Sequence, residues 1–173
     1  MIATVFMFRS SWHSQGTNKA KTGYNTESTE WPSIEDLDIV KSLIDKFFNL
    51  LDNDSSAVGD ILADEIFSSD ARSGFGGHFF VGSEQIRESR DSAWAAVKAR
   101  RHLINKVYVS DSKADDLLFI GHVTMNLRNG KEVAGEFTGR VKIANPGQSP
   151  RLSLYQLWAV QSPRIFRNHP ANI

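Results

Sequence analysis

The sequence predicts an α+β fold in which three helices lie over one face of a curved, cone-shaped mixed or antiparallel sheet. Three observations carry that prediction. In residues 34–63 and again in 84–99, apolar side chains recur at three- and four-residue steps, the spacing of one helix face. From His102 onward the apolar period falls to two, the spacing of a strand. Asn129-Gly130 and Asn145-Pro-Gly-Gln-Ser-Pro150 divide that period-two stretch at turn-forming residues. Helical runs followed by a run of strands mark an α+β domain.

The totals narrow the function classes. A chain of 173 residues fits one domain, large enough to bury about two thirds of its unfolded surface. It has no cysteine, so disulfides, thiolate metal sites and cysteine nucleophiles are excluded. Twenty basic and twenty acidic residues balance, which argues against a nucleic-acid partner. The local cluster Lys98, Arg100 and Arg101 reads as a solvated helix end. Met1 to Phe8 is apolar but far shorter than the ~20 residues of a membrane span. It also lacks the basic flank and cleavage site of a secretory signal, so no membrane partner and a cytoplasmic setting are expected.

In order along the chain, residues 1–32 read as an N-terminal arm, mobile or acting as a lid, because 9–32 are polar and without period. The domain proper is expected over 33–162, with a tail at 163–173. Ser33 and Asp36 have the spacing of a capping box ahead of a helix over 34–51, whose stripe is Leu37, Val40, Ile44, Phe47, Phe48 and Leu51. Asp52-Asn-Asp-Ser-Ser56 breaks it, and a short helix over 56–63 follows. Ser73-Gly-Phe-Gly-Gly77 lacks the Gly-Lys-Ser/Thr ending of a phosphate loop and reads as a hairpin turn within extended segments over 65–81. Ser83 is placed to cap a third helix over 84–99, with Ile86, Ala93, Trp94 and Val97 buried. Strands are expected over 102–110, 116–127, 132–144 and 151–161.

Several side chains could carry chemistry. His102, at the predicted helix–strand junction, titrates near neutral pH and can take and return a proton. His122 faces either the interior or the outside, since the pleat phase of Gly121-His-Val-Thr-Met125 is open. Asp38 and Asp45 fall at seven-residue steps before Asp52 and read as a solvated helix face. Tyr108, Tyr155, Gln156 and Trp158, with Phe48 and Trp94, could line a cavity for an apolar ring or simply pack between sheet and helices. Asp70 and Arg72 read as a surface pair. The five histidines show no metal-ligand spacing, and no dinucleotide loop is present. No metal and no cofactor are therefore implied, and cofactor-free acid–base chemistry is what remains.

The order of elements resembles the nuclear-transport-factor-2-like superfamily and its SnoaL-like members, with the pattern of a broad fungal group. Phe-Phe-Asn-Leu-Leu-Asp52, Val81-Gly-Ser-Glu-Gln-Ile-Arg87, Arg101-His102 and Leu154-Tyr-Gln-Leu-Trp158 carry the resemblance, which covers about residues 34–162. In scytalone dehydratase and the lindane dehydrochlorinase of this superfamily, a strand histidine pairs with an aspartate from the first helix. The resemblance places His102 at the histidine and Asp52 at the aspartate. It implies a cofactor-independent isomerase, cyclase or dehydratase acting on an apolar polyketide or terpenoid intermediate of secondary metabolism, in a homodimer formed through the outer face of the sheet. A non-catalytic dimeric module binding a ligand or a protein is the alternative on the same fold. Phe47 and Phe48 stand where the scytalone enzyme has water-holding tyrosines, which speaks against that particular dehydration chemistry.

Overall fold

A computed structural model describes residues 23–75 and 77–159. Helix α1 (Asp38–Leu51) buries Val40, Leu43, Ile44, Phe47, Phe48, Leu50 and Leu51 on one side. It starts four residues later than the capping-box spacing predicts. Asp36 is in the left-handed region, φ 59°, which interrupts the helical run. Leu37 occupies the N-cap position, and no side chain caps the helix. Helix α2 (Val58–Ile61) runs on into a single π-helical turn over Leu62–Ile66.

Strands β1 (Phe67–Phe75) and β2 (His78–Val81) form the glycine-turn hairpin. Helix α3 (Gly82–Glu88) is seven residues long and does not reach residue 99. Gln85 Oε1 accepts from the Val81 N–H at its start, so Ser83 is not the cap. At its end the Ser89 hydroxyl donates to the Ile86 carbonyl at 2.6 Å, and a string of turns over 89–96 follows. The chain is already extended at Val97. Strand β3 (Val97–Val109) pairs along its length with β4 (Asp116–Leu127). The helix-forming run Ala93-Trp-Ala-Ala96 is thus overridden by a non-local pairing. His102 consequently sits within a strand rather than at a junction.

Strand β5 (Glu132–Ala144) follows β4 through the Asn129-Gly130 turn, and β6 (Arg151–Ala159) completes the sheet. The sheet order is β2-β1-β6-β5-β4-β3, with β1–β6 the parallel pair and the other neighbours antiparallel. Gly121 and Gly139 lie on the concave face, where an added Cβ would collide with the Phe137 and Phe119 rings respectively. Those two rings therefore lie over the glycines of neighbouring strands, and Phe48 of α1 packs onto both.

The core fills the space between the helices and this concave face. Phe47, Phe48, Phe67, Phe119, Phe137 and Tyr155 are its largest fully buried members. They meet edge to face, as in Phe47–Phe67 (5.6 Å, 90°) and Phe48–Phe119 (5.3 Å, 88°). Each such burial is worth roughly 1.5–3 kcal/mol. No helix among the described residues is long and apolar enough to cross a membrane.

The described part of the arm, from Gly23 onward, lies along the open edge of β3. The Glu30 N–H donates to the Asn105 carbonyl and the Ile104 N–H to the Asn25 carbonyl, both at 2.9 Å. The Thr29 hydroxyl donates to the Ile104 carbonyl at 2.6 Å. Residues 1–22 and the predicted tail at 163–173 lie outside the described residues.

Candidate active site

The polar break after α1 makes Asp52 its last capped position, with the backbone N–H bonded to the Phe48 carbonyl at 3.1 Å. That geometry turns the Asp52 side chain away from solvent and toward β3, where it is 5% exposed. His102 Nδ1 lies 2.5 Å from Asp52 Oδ1. The His102 backbone N–H, an edge-strand donor with no neighbouring strand, donates to Asp52 Oδ2 at 2.7 Å. The carboxylate thus holds both the ring and the backbone of the same residue. Asn25, 1% exposed, donates through Nδ2 to Asp52 Oδ2 at 2.8 Å and to the His102 carbonyl at 2.7 Å. Both carboxylate oxygens are engaged. In a neutral ring, a carboxylate facing Nδ1 places the hydrogen there and leaves Nε2 with its lone pair.

Asn25 is itself held by Asp45, which lies against this segment and not on the solvated helix face its spacing predicts. The Asp45 carboxylate accepts from the backbone N–H of Gly23, Asn25 and Thr26 and from the Thr26 hydroxyl, at 2.9–3.1 Å. Asp38, by contrast, is 96% exposed and pairs with Lys41.

The imidazole borders a half-open cavity of about 310 Å3, lined by the end of α1, the β1–β2 hairpin, the turn after α3 and the concave face of β3 and β6. Phe75, Phe80 and Leu157 give it apolar walls; Arg90, Arg100 and Tyr155, with His78, Ser89 and Ser92, give it polar ones. Arg100 stands two residues before His102 on the same strand and so on the same face. Its Nε donates to the Leu51 carbonyl at 3.1 Å and lies 3.8 Å from Asp52 Oδ1. Arg90 Nη2 reaches the same carbonyl at 3.4 Å. Burial, reinforced by the charge of Arg100, lowers the Arg90 pKa to about 10, which leaves it charged at neutral pH. Burial also lowers Arg100 and pushes the Tyr155 phenol well above its usual range, so its hydroxyl stays protonated.

The other predicted lining residues are dispersed. Tyr155 lies in the cavity wall, packed 4.8 Å from Phe47. Phe48 lies behind the imidazole at 5.4 Å, in the core and not on the cavity surface. Trp94 is half-buried beside the site, under the Arg100 guanidinium at 4.6 Å. Tyr108, His122, Gln156 and Trp158 belong to the outer face. Register pairs Tyr108 with Leu118, Leu103 with His122, and Trp158 with Thr138 on the side opposite Phe119 and Phe137. The pleat parity that puts Phe119 and Gly121 inside puts His122 outside. Asp70 and Arg72 are exposed, with no ion pair between them. Among the described residues no group of three metal-ligating side chains comes together.

Arg90 and Asn25 carry no signal in the sequence, and Arg100 reads there as part of a solvated helix end. Reading β3 from Val97 would have put Arg100 on the face of His102; Asn25 leaves no comparable periodic signal.

No family model matches the sequence, and no curated protein matches it. Solved structures do. An NTF2-like protein of unknown function from Exiguobacterium sp. 255-15 is 15% identical, with a TM-score of 0.56 over 69% of this chain and 99% of that one. LinA is 16% identical, with a TM-score of 0.57 over 70% and 83%. A protein from Jannaschia sp. CCS1, named as a SnoaL-like polyketide cyclase, is 14% identical, with a TM-score of 0.51 over 68% and 85%. At these identities the likeness is one of architecture: the fold is the nuclear-transport-factor-2-like cone.

Proposed function

We propose that the chain is a cofactor-independent acid–base enzyme of SnoaL-like type, an isomerase, cyclase or dehydratase acting on an apolar polyketide or terpenoid intermediate. The observation that carries this reading is the 2.5 Å contact between His102 Nδ1 and Asp52 Oδ1 at the edge of a half-open cavity with apolar and polar walls. In the proposed reaction Nε2 takes a proton from the carbon beside a substrate carbonyl, and the electron pair of that C–H bond moves toward the carbonyl oxygen. Asp52 balances the imidazolium that forms. The proton then returns to a different carbon in isomerisation, or to a departing hydroxyl as water leaves. A positioned acid–base group of this kind contributes ~10²–10⁴ in rate. The apolar walls and the name of the Jannaschia relative support the substrate class.

A metabolite panel screened by thermal shift identifies a ligand, and turnover is then measured. His102→Gln is expected to lower kcat by about 10² or more with the fold intact. Asp52→Asn is expected to lower it as well, by removing the charge opposite the imidazolium. Unchanged turnover in His102→Gln sinks the mechanism and leaves a binding module of the same fold.

The outer sheet face supports a second proposal, that two copies associate there. Leu103, Tyr108, Leu118, Ile120 and Trp158 are all between 37% and 50% exposed and share that face. Sedimentation of the intact chain as a monomer at micromolar concentration would contradict it.

A further inference from the structure

We propose that Arg90 and Arg100 form a carboxylate subsite in the cavity, so that the substrate is a small, otherwise apolar organic acid. This rests on the acid–base reading for the role of the neighbouring His102, and it adds the charge and shape of what the cavity takes.

The argument is one of charge and donors. Two guanidiniums border the cavity, and one carboxylate, Asp52, stands near them. That carboxylate is already occupied by His102 Nδ1, the His102 N–H and Asn25 Nδ2. Its Oδ1 lies 3.8 Å from Arg100 Nε, and no ion pair to Arg90 forms among the described residues. Both arginines turn instead to one neutral acceptor, the Leu51 carbonyl. That carbonyl is one of the unpaired acceptors at the end of α1, and Arg100 alone satisfies it with two donors. Arg90 adds only a 3.4 Å contact, and its Nε is buried without a partner among the described residues.

Buried charge is ordinarily paired and hydrogen-bonded. The two guanidiniums bring one positive charge more than the single carboxylate, Asp52, balances. A ligand bearing a full negative charge removes that excess on binding. An enolate formed only during reaction would leave it standing in the resting complex. A planar guanidinium with free donors matches a planar two-oxygen anion. Tyr155, its phenol protonated, is also among the residues lining the cavity, while Phe75, Phe80 and Leu157 provide the apolar surroundings for a ring or short chain.

The test uses 3-oxocyclohexane-1-carboxylate and its neutral methyl ester. Affinity is measured by calorimetry at low salt. Deuterium uptake beside the ketone is followed by NMR in heavy water, with and without protein. The acid is expected to bind about ten-fold tighter than the ester or better, the scale of a charge-assisted pair. Arg90→Gln is expected to erase that preference while the ester binds as before, with circular dichroism reporting the fold. If Arg90→Gln does not fold, Arg90→Lys takes its place; it keeps the charge, loses the fork, and is expected to narrow the preference. Equal affinity for acid and ester in the intact protein overturns the proposal, whatever the variants do. Arg90-dependent binding of the acid without His102-dependent exchange upholds the subsite and overturns the acid–base reading. His102-dependent exchange with the ester bound as well as the acid does the reverse.

Discussion

Replacing Asp45 by alanine tests whether the segment from Gly23 is a working part of the domain. One carboxylate accepts four hydrogen bonds from that segment, three from backbone N–H groups and one from a hydroxyl. Bonds to a charged group are worth about 1.5–3 kcal/mol each when isolated. These four share two oxygens, lie at a half-buried position and form together, so they do not add. A total near the value of one or two such bonds, about 2–4 kcal/mol, is the working expectation. Because the segment is peripheral, the loss should appear first as undocking. Hydrogen exchange at the Ile104 amide, held by the Asn25 carbonyl at 2.9 Å, reads that opening directly. Urea unfolding reads the global part. Asp38→Ala, on the same helix but 96% exposed, is the control and should change neither readout. If Asp45→Ala matches that control in both, the docking is not held by this carboxylate and the reasoning fails.

Two further outcomes follow from the sheet. Ile120→Glu, in the middle of the exposed apolar face, should shift the proposed dimer to monomer in sedimentation without lowering the helical signal; an unshifted dimer would place the interface elsewhere. Arg140 donates to both oxygens of Asp116, at 2.8 and 2.5 Å, and these bonds hold the Asp116 carboxyl below its usual range. A depressed folded-state value means that this contribution is present above the unfolded pKa, near 3.9, and is lost as pH falls through the folded value. Asp116→Asn should therefore lower the urea midpoint slightly at pH 6 and hardly at all below pH 3, with the difference shrinking in salt. An equal loss at both pH values would refute the assignment.

Where the chemistry of a segment is local, the sequence could be read closely. The bounds of β4 and β5 match the expectation residue for residue, because Asn129-Gly130 pins the turn between two alternating runs. The third helix failed because Ala93-Trp-Ala-Ala96 carries a helical preference, while the ladder that begins at Val97 depends on residues some thirty positions later. That one error hid Arg100, which looked like part of a solvated helix end. Pleat parity failed for a different reason. Leu118 and Ile120 are apolar outside just as Leu117 and Phe119 are inside, so alternation could not say which side of β4 carries His122. The neighbourhood of Asp52 and His102 came from resemblance rather than from spacing. The residue that fastens them, Asn25, is 27 positions from one and 77 from the other.

Those separations order the assembly of the site. The core around Phe47, Phe119 and Phe137 needs α1 and the β3–β4–β5 meander to meet. Asn25 needs that meeting to have happened already, because its partners, Asp52 and the edge of β3, are adjacent only afterwards. Closing such a loop costs conformational entropy before any contact compensates it. The fastening of the carboxylate–imidazole pair by Asn25 therefore depends on the largest sequence separation in the site, 77 residues, and on contacts that exist only once the core is closed.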